Sequence, residues 1–89
     1  MAWRIEFSAL GQKNIRQLNP QHRERVLKFL SERVAVLQDP RSLGEALKGS
    51  KLGHFWKYRV GDYRVIADIQ DGVLCVLVVR ISNRRDVYR

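Results

Sequence analysis

The segment 55–66, which reads FWKYRVGDYRVI, restricts the fold more than any other part of the chain. Two alternating runs flank the dipeptide Gly61-Asp62, so the segment predicts a β-hairpin with a two-residue loop. In that register Arg59 lies directly opposite Arg64. Because alternate residues of a strand share a face, Lys57 joins these two arginines on one face of the sheet. Lys57, Arg59 and Arg64 are called the cationic cluster from here on.

The cationic cluster carries an electrostatic cost. Like charges that face each other across two strands destabilise the pairing by a few tenths of a kcal/mol to about 1 kcal/mol. A bound anion offsets that cost, and phosphate is the anion that arginine forks suit best. The alternative is that Lys57 and Arg59 are ordinary solvated strand residues. The hairpin alone leaves both interpretations open.

The composition of the chain indicates one small globular domain, 1–89, with a polyanionic partner. A hydrophobic content of 45% is too high for a disordered chain, and the formal charge is +8. Nucleic acid, a membrane surface and an acidic protein all fit that charge. The single Cys75 excludes an internal disulfide and a cysteine-based metal site, and it is expected to be a buried, unreactive thiol. No pattern in the sequence indicates a metal or other cofactor.

The longest apolar run, 73–79, is far shorter than the ~20 residues that span a membrane. The N-terminal residues lack the apolar core of a signal peptide. We therefore expect no membrane partner and a cytoplasmic location, which a lone cysteine also suits.

The elements before the hairpin are predicted from periodicity and capping residues. An alternating strand at 3–7 places its apolar residues inward. Ser8 caps a first helix, and Asn19-Pro20 starts a second helix that runs to about Leu37. The second helix has an apolar stripe made of Val26, Leu27, Leu30, Val34 and Leu37. Four basic residues are expected on solvated helix surface: Arg16, Arg23, Arg25 and Lys28.

A connector, 41–53, contains three glycines and precedes strands at about 54–60, 63–69 and 73–81. The helices are joined by a short link, so they form an antiparallel hairpin. The predicted fold class is α+β: an N-terminal strand and an antiparallel helical hairpin packed on a mainly antiparallel four-stranded sheet. Four aromatic residues are assigned to its core: Trp3, Trp56, Tyr58 and Tyr63.

A second hairpin is predicted around the dipeptide Asp71-Gly72. With a two-residue loop, Gln70 pairs with Val73, and Arg64 lies opposite Val79. The last strand then finishes at the end of the sheet that carries the cationic cluster. The tail that follows, 82–89, lies within a few extended residues of the cluster, at about 3.3 Å each. It can bring further cations and one aromatic ring to the same place: Arg84, Arg85 and Tyr88.

Three segments together resemble the RelE side of the RelE/ParE superfamily of toxins. They are Asp39-Pro40-Arg41 through Leu47-Lys48-Gly49, the hairpin from Trp56 to Val65, and the tail from Arg84 to Arg89. The resemblance implies a small α+β fold similar to that of microbial ribonucleases. It also implies the toxin of a type II toxin–antitoxin pair, which enters the ribosomal A site, cleaves mRNA there as an endoribonuclease and inhibits translation.

The resemblance also implies which residues are catalytic. Matched position by position, they are Lys57, Arg59, Arg64, Arg84 and Tyr88. Two positions depart from the family pattern. Arg59 stands where many relatives have lysine, and Asn83 stands where many have histidine.

Metal-free RNA cleavage of this kind needs a base for the 2′-OH, charge neutralisation at phosphorus and a proton for the leaving oxygen. Arg64 and Arg59 are assigned to the non-bridging oxygens. Because a guanidinium is a poor base, Lys57 is the candidate general base. Arg84 is assigned to the leaving oxygen, and Tyr88 to base stacking or to orienting the 2′-OH. General attraction of RNA is assigned to Arg85 and Arg89, with ribosomal RNA contact by the helical cations as a further possibility.

Two other functions fit the same fold. One is a ParE-like inhibitor that binds DNA gyrase without chemistry of its own. The other is a degenerate member that binds RNA without cleaving it, which the departures at Arg59 and Asn83 leave open. Fold alone does not separate these functions. The set of four cations and a tyrosine favours the nuclease, because a gyrase inhibitor has no need of it.

The partners implied by the resemblance are a cognate antitoxin, the ribosome and mRNA. The antitoxin is expected to be acidic and partly disordered when free, since a surface of charge +8 and an edge strand suit such a chain. A helix or strand of it is expected on the helical hairpin or the sheet edge. Operator DNA is expected to be bound only through the antitoxin complex.

Overall fold

The computed structural model describes residues 2–47 and 54–83. Two helices and five strands form in this part of the chain. In order they are β1 (Arg4–Phe7), α1 (Ala9–Gln17), α2 (Pro20–Phe29), β2 (Glu45–Ala46), β3 (Phe55–Val60), β4 (Tyr63–Gln70) and β5 (Cys75–Asn83). The predicted α+β class is confirmed.

The sheet has the strand order β1-β5-β4-β3-β2. β1 runs parallel to β5, and the other neighbours are antiparallel. The predicted sheet of four strands is wrong, because the connector 41–53 contributes β2. In β2, Glu45 pairs with Lys57 and Ala46 pairs with Trp56. A strand of two residues shows no alternation, so only its pairing with β3 reveals it.

The first helix, α1, is positioned by its N-cap residue and by the close packing of Gly11 against the sheet. The Ser8 side chain accepts a hydrogen bond from the Gly11 amide at 3.0 Å, as predicted for the N-cap. Gly11 is buried against β5, where a Cβ atom would come within 2.4 Å of the Val78 carbonyl oxygen. Glycine at this position therefore lets α1 lie directly on the sheet.

The second helix starts as predicted but ends early. The Asn19 side chain accepts from the His22 amide at 3.0 Å, with Pro20 in the first turn. Regular α-helix ends at Phe29, and one π-helical turn, Leu30–Val34, follows. The extension to Leu37 is wrong because the wider π turn breaks the 3.6-residue period.

Burial along the second helix follows a narrower stripe than predicted. Val26, Leu30 and Val34 are buried, whereas Leu27 is 41% exposed. Arg23 is half-buried instead of lying on a fully solvated helix surface. Its guanidinium donates to carbonyl oxygens at the end of α1, those of Ile15, Arg16 and Leu18, at 3.0–3.1 Å. The side chain thereby satisfies acceptors that the end of a helix leaves free.

The core lies between the two helices and one face of the sheet. Trp3 is buried there, with Ile5 and Phe7 packed against the buried residues, so the inward face of β1 is confirmed. Tyr58 is fully buried, and Trp56 and Tyr63 pack against the core. Within the described ranges, no helix is long and apolar enough to cross a membrane.

The second hairpin has a longer connection than predicted. Asp71–Val73 form a 3-10 turn, Leu74 follows with φ of 50°, and Gln70 pairs with Cys75 rather than Val73. This wider connection shifts the register between β4 and β5 by two residues.

A β-bulge between Ile66 and Ala67 shifts the register between β4 and β5 by one residue more. Arg64 therefore lies opposite Ser82 instead of Val79, and Tyr63 lies opposite Asn83. The predicted end point of the last strand, at the Gly61 end of the sheet, is confirmed.

Candidate functional site

The β3–β4 hairpin has the predicted register. Val60 pairs with Tyr63, and Arg59 pairs with Arg64. Gly61 has φ of 60°, a conformation that favours glycine and that the first position of a tight hairpin loop requires. This turn brings both arginines to the end of the sheet.

The cationic cluster lies on the sheet face that the helices leave open. Tyr58 and Val65, which are next to cluster residues along β3 and β4 and pair with each other, are fully buried on the opposite face. Arg80 lies on the same face beside the cluster, because it pairs with Ile66, which itself pairs with Lys57. No local sequence pattern indicates Arg80, because the bulge in the β4–β5 pair decides which way this residue faces.

Arg64 is the buried member of the cluster, with 4% of its surface exposed. Among residues 2–47 and 54–83, no carboxylate lies within ion-pair distance of its guanidinium. A buried cation without a counter-ion is costly, and such groups concentrate where a charged ligand binds. Arg59, directly opposite, keeps 60% of its side chain exposed.

Glu45, like Arg80, lies beside the cationic cluster without any sequence motif that indicates it. Its Oε2 atom lies 3.6 Å from Lys57 Nζ, and its Oε1 atom lies 3.8 Å from Arg59 Nε. The carboxylate thus bridges two members of the cationic cluster from the edge strand β2. The sequence showed Glu45 only as one acidic residue in a glycine-containing connector.

Three contacts hold the segment that leads into β2. The Tyr58 hydroxyl donates to the Pro40 carbonyl oxygen at 2.8 Å, and burial raises the pKa of Tyr58 to about 12. Arg41 donates to Asp71 at 3.0 Å and lies 5.9 Å from the centre of the Trp56 ring. Its hydrogen bonds raise the pKa of Arg41 and lower that of Asp71.

The cluster continues around the edge of β3 into a groove beside α2. The groove has a volume of about 470 Å³. Arg59 lines one wall, and Arg25, Lys28 and Arg33 line the helical side together with Glu32. A polyanion that contacts the cluster can therefore meet further cations along the same path.

The remaining predicted site residues lie outside the described residues: Arg84, Arg85, Tyr88 and Arg89. Asn83, which precedes them, pairs with Tyr63 at the end of the hairpin. The Tyr63 hydroxyl lies 2.8 Å from His22 Nδ1 and so ties this end of the sheet to α2.

Cys75 lies away from the cluster and is buried, as predicted. Burial raises the pKa of its thiol, and the neighbouring Glu6 carboxylate acts in the same direction. In the described ranges, no group of three His, Cys, Asp or Glu side chains is placed to hold a metal ion.

Comparison with known proteins gives a family and a fold. A family model described as the ParE toxin of the type II toxin–antitoxin system parDE matches residues 10–88. Toxin RelG of Mycobacterium tuberculosis is 26% identical over 89 residues, which cover 100% of this chain and 99% of RelG.

Two solved structures from toxin–antitoxin systems are similar to the chain. A mutant of E. coli toxin RelE in the free state has a TM-score of 0.73 at 26% identity, covering 99% of this chain and 92% of RelE. The RelBE2 complex of M. tuberculosis contains a chain with a TM-score of 0.84, which covers 94% of this chain and 93% of its own length, and its 21% identity shows the fold alone. The chain therefore belongs to the ParE toxin family of type II toxin–antitoxin systems, within the RelE/ParE superfamily that its residues resemble.

Proposed function

We propose that this toxin is an endoribonuclease that cleaves mRNA in the ribosomal A site and thereby inhibits translation. The observation that carries the proposal is the state of Arg64: it is buried, opposite Arg59, and without a carboxylate within ion-pair distance among the described residues. A phosphate bound between the two guanidinium groups offsets the repulsion between Arg59 and Arg64 and supplies Arg64 with a counter-ion.

In this proposal the open sheet face holds the scissile phosphate. Arg64 and Arg59 neutralise the charge that develops on the non-bridging oxygens, which is where fixed cations contribute most to rate. Lys57 lies on the same face, two residues along β3 from Arg59. The roles predicted for Arg84 and Tyr88 require those residues to follow β5 to the same end of the sheet.

The proposed partners are mRNA, the ribosome and an acidic antitoxin. The charge of +8 supports binding to ribosomal RNA and attraction of a negatively charged inhibitor. One similar structure is the intact RelBE toxin–antitoxin complex of E. coli, at 26% identity and a TM-score of 0.72. An antitoxin that covers the cationic cluster would neutralise the toxin by competing with phosphate.

A second candidate function is inhibition of DNA gyrase without RNA cleavage. It is favoured by the match of residues 10–88 to a family model named for ParE. A buried arginine with no carboxylate at ion-pair distance among the described residues has no evident use in gyrase inhibition, so we rank that function second.

The decisive experiment is primer extension on a defined mRNA in a purified translation system. The protein alone, ribosomes alone and both together are compared. Cleavage at A-site codons that requires both components is the expected result. Intact mRNA under all three conditions, together with inhibition of gyrase supercoiling, would replace the nuclease with the second candidate.

A further inference from the structure

We propose that Glu45, rather than Lys57, is the general base that removes the proton from the attacking ribose 2′-OH. This inference rests on the proposed ribonuclease function and assigns a residue to its chemistry. Glu45 pairs with Lys57 across the β2–β3 ladder and therefore shares the open face with the cationic cluster. Its two carboxylate oxygens lie 3.6 Å from Lys57 Nζ and 3.8 Å from Arg59 Nε.

The chemistry of the neighbouring groups favours a carboxylate for this role. Protonated ammonium and guanidinium groups are donors only, so they stabilise phosphate oxygens but accept no proton. An ionised carboxylate is an acceptor only and takes up a proton directly. The 2′-OH lies beside the scissile phosphate, so its base must stand next to the phosphate-binding cations, as Glu45 does.

The exposure of Glu45 and its ion pairs with the cationic cluster also favour this role. The Glu45 side chain is 59% exposed, so an RNA strand on the open face can reach it. In the described part of the chain, both ion pairs of the cationic cluster are made with Glu45. The other carboxylates of this face stand farther along the sheet, with Asp68 opposite Phe55 and Glu6 on β1.

The reaction then balances without a metal or an added reactant. A Glu45 oxygen takes the 2′-OH proton as the 2′-oxygen forms a bond to phosphorus. The bond from phosphorus to the 5′-oxygen breaks, and that oxygen takes a proton from water or from an acidic group at the site. The products are a 2′,3′-cyclic phosphate and a 5′-hydroxyl end, and Glu45 returns its proton to solvent.

Lys57 and Arg59 gain a second task in this arrangement. Each holds one oxygen of the carboxylate, so together they orient it toward the phosphate position. The alternative is that Glu45 is only a counter-ion, which phosphate displaces from the cationic cluster. Such a residue would make the same contacts with Lys57 and Arg59. Removing its charge would then speed cleavage, because the cluster would be free for phosphate.

The test is single-turnover cleavage of mRNA on programmed ribosomes by the wild type and by Glu45→Gln, Glu45→Asp and Glu6→Gln. Glu6→Gln is the matched control, because it removes one charge from the same sheet face at an ion pair with Arg4. We expect Glu45→Gln to lower the rate by about 10²- to 10⁴-fold, the usual contribution of a general base. Glu45→Asp should give an intermediate rate, and Glu6→Gln the wild-type rate.

The pH dependence separates catalysis from a structural role. Because the wild type supplies its own base, its rate should depend little on hydroxide concentration between about pH 6 and pH 8. Hydroxide must replace the missing base in Glu45→Gln, so its rate should rise about tenfold per pH unit. Ribosome binding by this variant should be unchanged or tighter.

Two results would overturn the inference while leaving the ribonuclease function intact. One is a Glu45→Gln rate equal to or above that of the wild type. The other is a slow variant with a flat pH profile and weakened ribosome binding, which would make Glu45 a structural residue. Absence of cleavage by the wild type itself would overturn the proposed function and this inference together.

Discussion

Arg59 and Arg64 face each other directly across the β3–β4 ladder, yet their environments differ sharply. The Arg59 side chain is 60% exposed, whereas Arg64 is 4% exposed. Arg59 also has a carboxylate beside it, and within the described ranges Arg64 has none at ion-pair distance. The hairpin thus holds one charge that can adjust to a ligand and one that is fixed in place.

Replacing Arg64 by methionine should abolish toxicity without lowering stability. Methionine keeps the apolar stem but removes a buried charge that opposes Arg59, so the melting temperature should stay equal or rise. The mRNA cleavage rate should fall by at least about 10²-fold, as for loss of one oxyanion donor. Growth arrest on induction and primer extension measure the loss of activity, and thermal melting measures the change in stability. The control Arg4→Met should leave both activity and stability unchanged, and a Tm drop of many degrees in Arg64→Met would mark Arg64 as structural.

Inorganic phosphate should stabilise the wild type more than it stabilises Arg64→Met. A ligand present at tenfold its dissociation constant adds about 1.4 kcal/mol, which shifts the Tm of a domain of this size by several degrees. Phosphate also stabilises proteins generally by exclusion from their surface, so the difference between the two proteins is the informative quantity. Thermal melts in phosphate and in chloride at equal ionic strength give that difference. Equal shifts in both proteins would argue against a phosphate site at Arg64.

Replacing Gly61 by alanine should destabilise the hairpin by about 1–2 kcal/mol, since a Cβ atom disfavours positive φ. The added atom would also lie 2.9 Å from the Arg25 guanidinium, although that flexible group can move. Gly72→Ala is a matched control, because nothing lies within 4 Å of the added atom. Urea denaturation should show the loss for Gly61→Ala alone, and equal effects of the two substitutions would contradict the role of the Gly61 turn.

Replacing Tyr58 by phenylalanine should cost about 1–3 kcal/mol at neutral pH, because it leaves the Pro40 carbonyl oxygen without its donor. The pKa of Tyr58 is raised to about 12 in the folded protein. The stabilisation that the Tyr58 hydroxyl gives the folded protein is therefore complete below the unfolded pKa of about 10. It is lost as pH rises toward the folded pKa of about 12. Denaturation curves from pH 7 to pH 11.5 should show the two proteins converging. Tyr63→Phe, at a half-buried site, should cost less.

Asp71→Asn should weaken the link between Arg41 and the β4–β5 connection at neutral pH. The pKa of Asp71 is lowered by its hydrogen bond from Arg41, so its stabilisation is present above the unfolded pKa of about 3.9 and is lost as pH falls through the folded value. The wild type should therefore melt slightly above Asp71→Asn at pH 7, and this Tm difference should vanish in strong acid. A difference that persists at pH 2 would show that the link is not electrostatic.

Local sequence signals determined the hairpin, the caps and the inward faces of the strands. Gly61-Asp62 set the register of Arg59 against Arg64 because a two-residue loop permits no other pairing. Ser8 and Asn19-Pro20 marked the helix starts for the equally local reason that their side chains satisfy nearby amide groups. These features depend on residues only a few positions apart, so they can be read directly from the chain.

Tertiary structure decided the features that join distant segments. The bulge after Ile66 and the turn at Asp71–Val73 set which residues of β5 face the cluster, including Arg80. Burial of Arg64 and the contact of Glu45 with Lys57 and Arg59 arise from packing and from the pairing of a two-residue edge strand. No short-range pattern encodes them, because their energies come from groups that meet only when the whole sheet has formed.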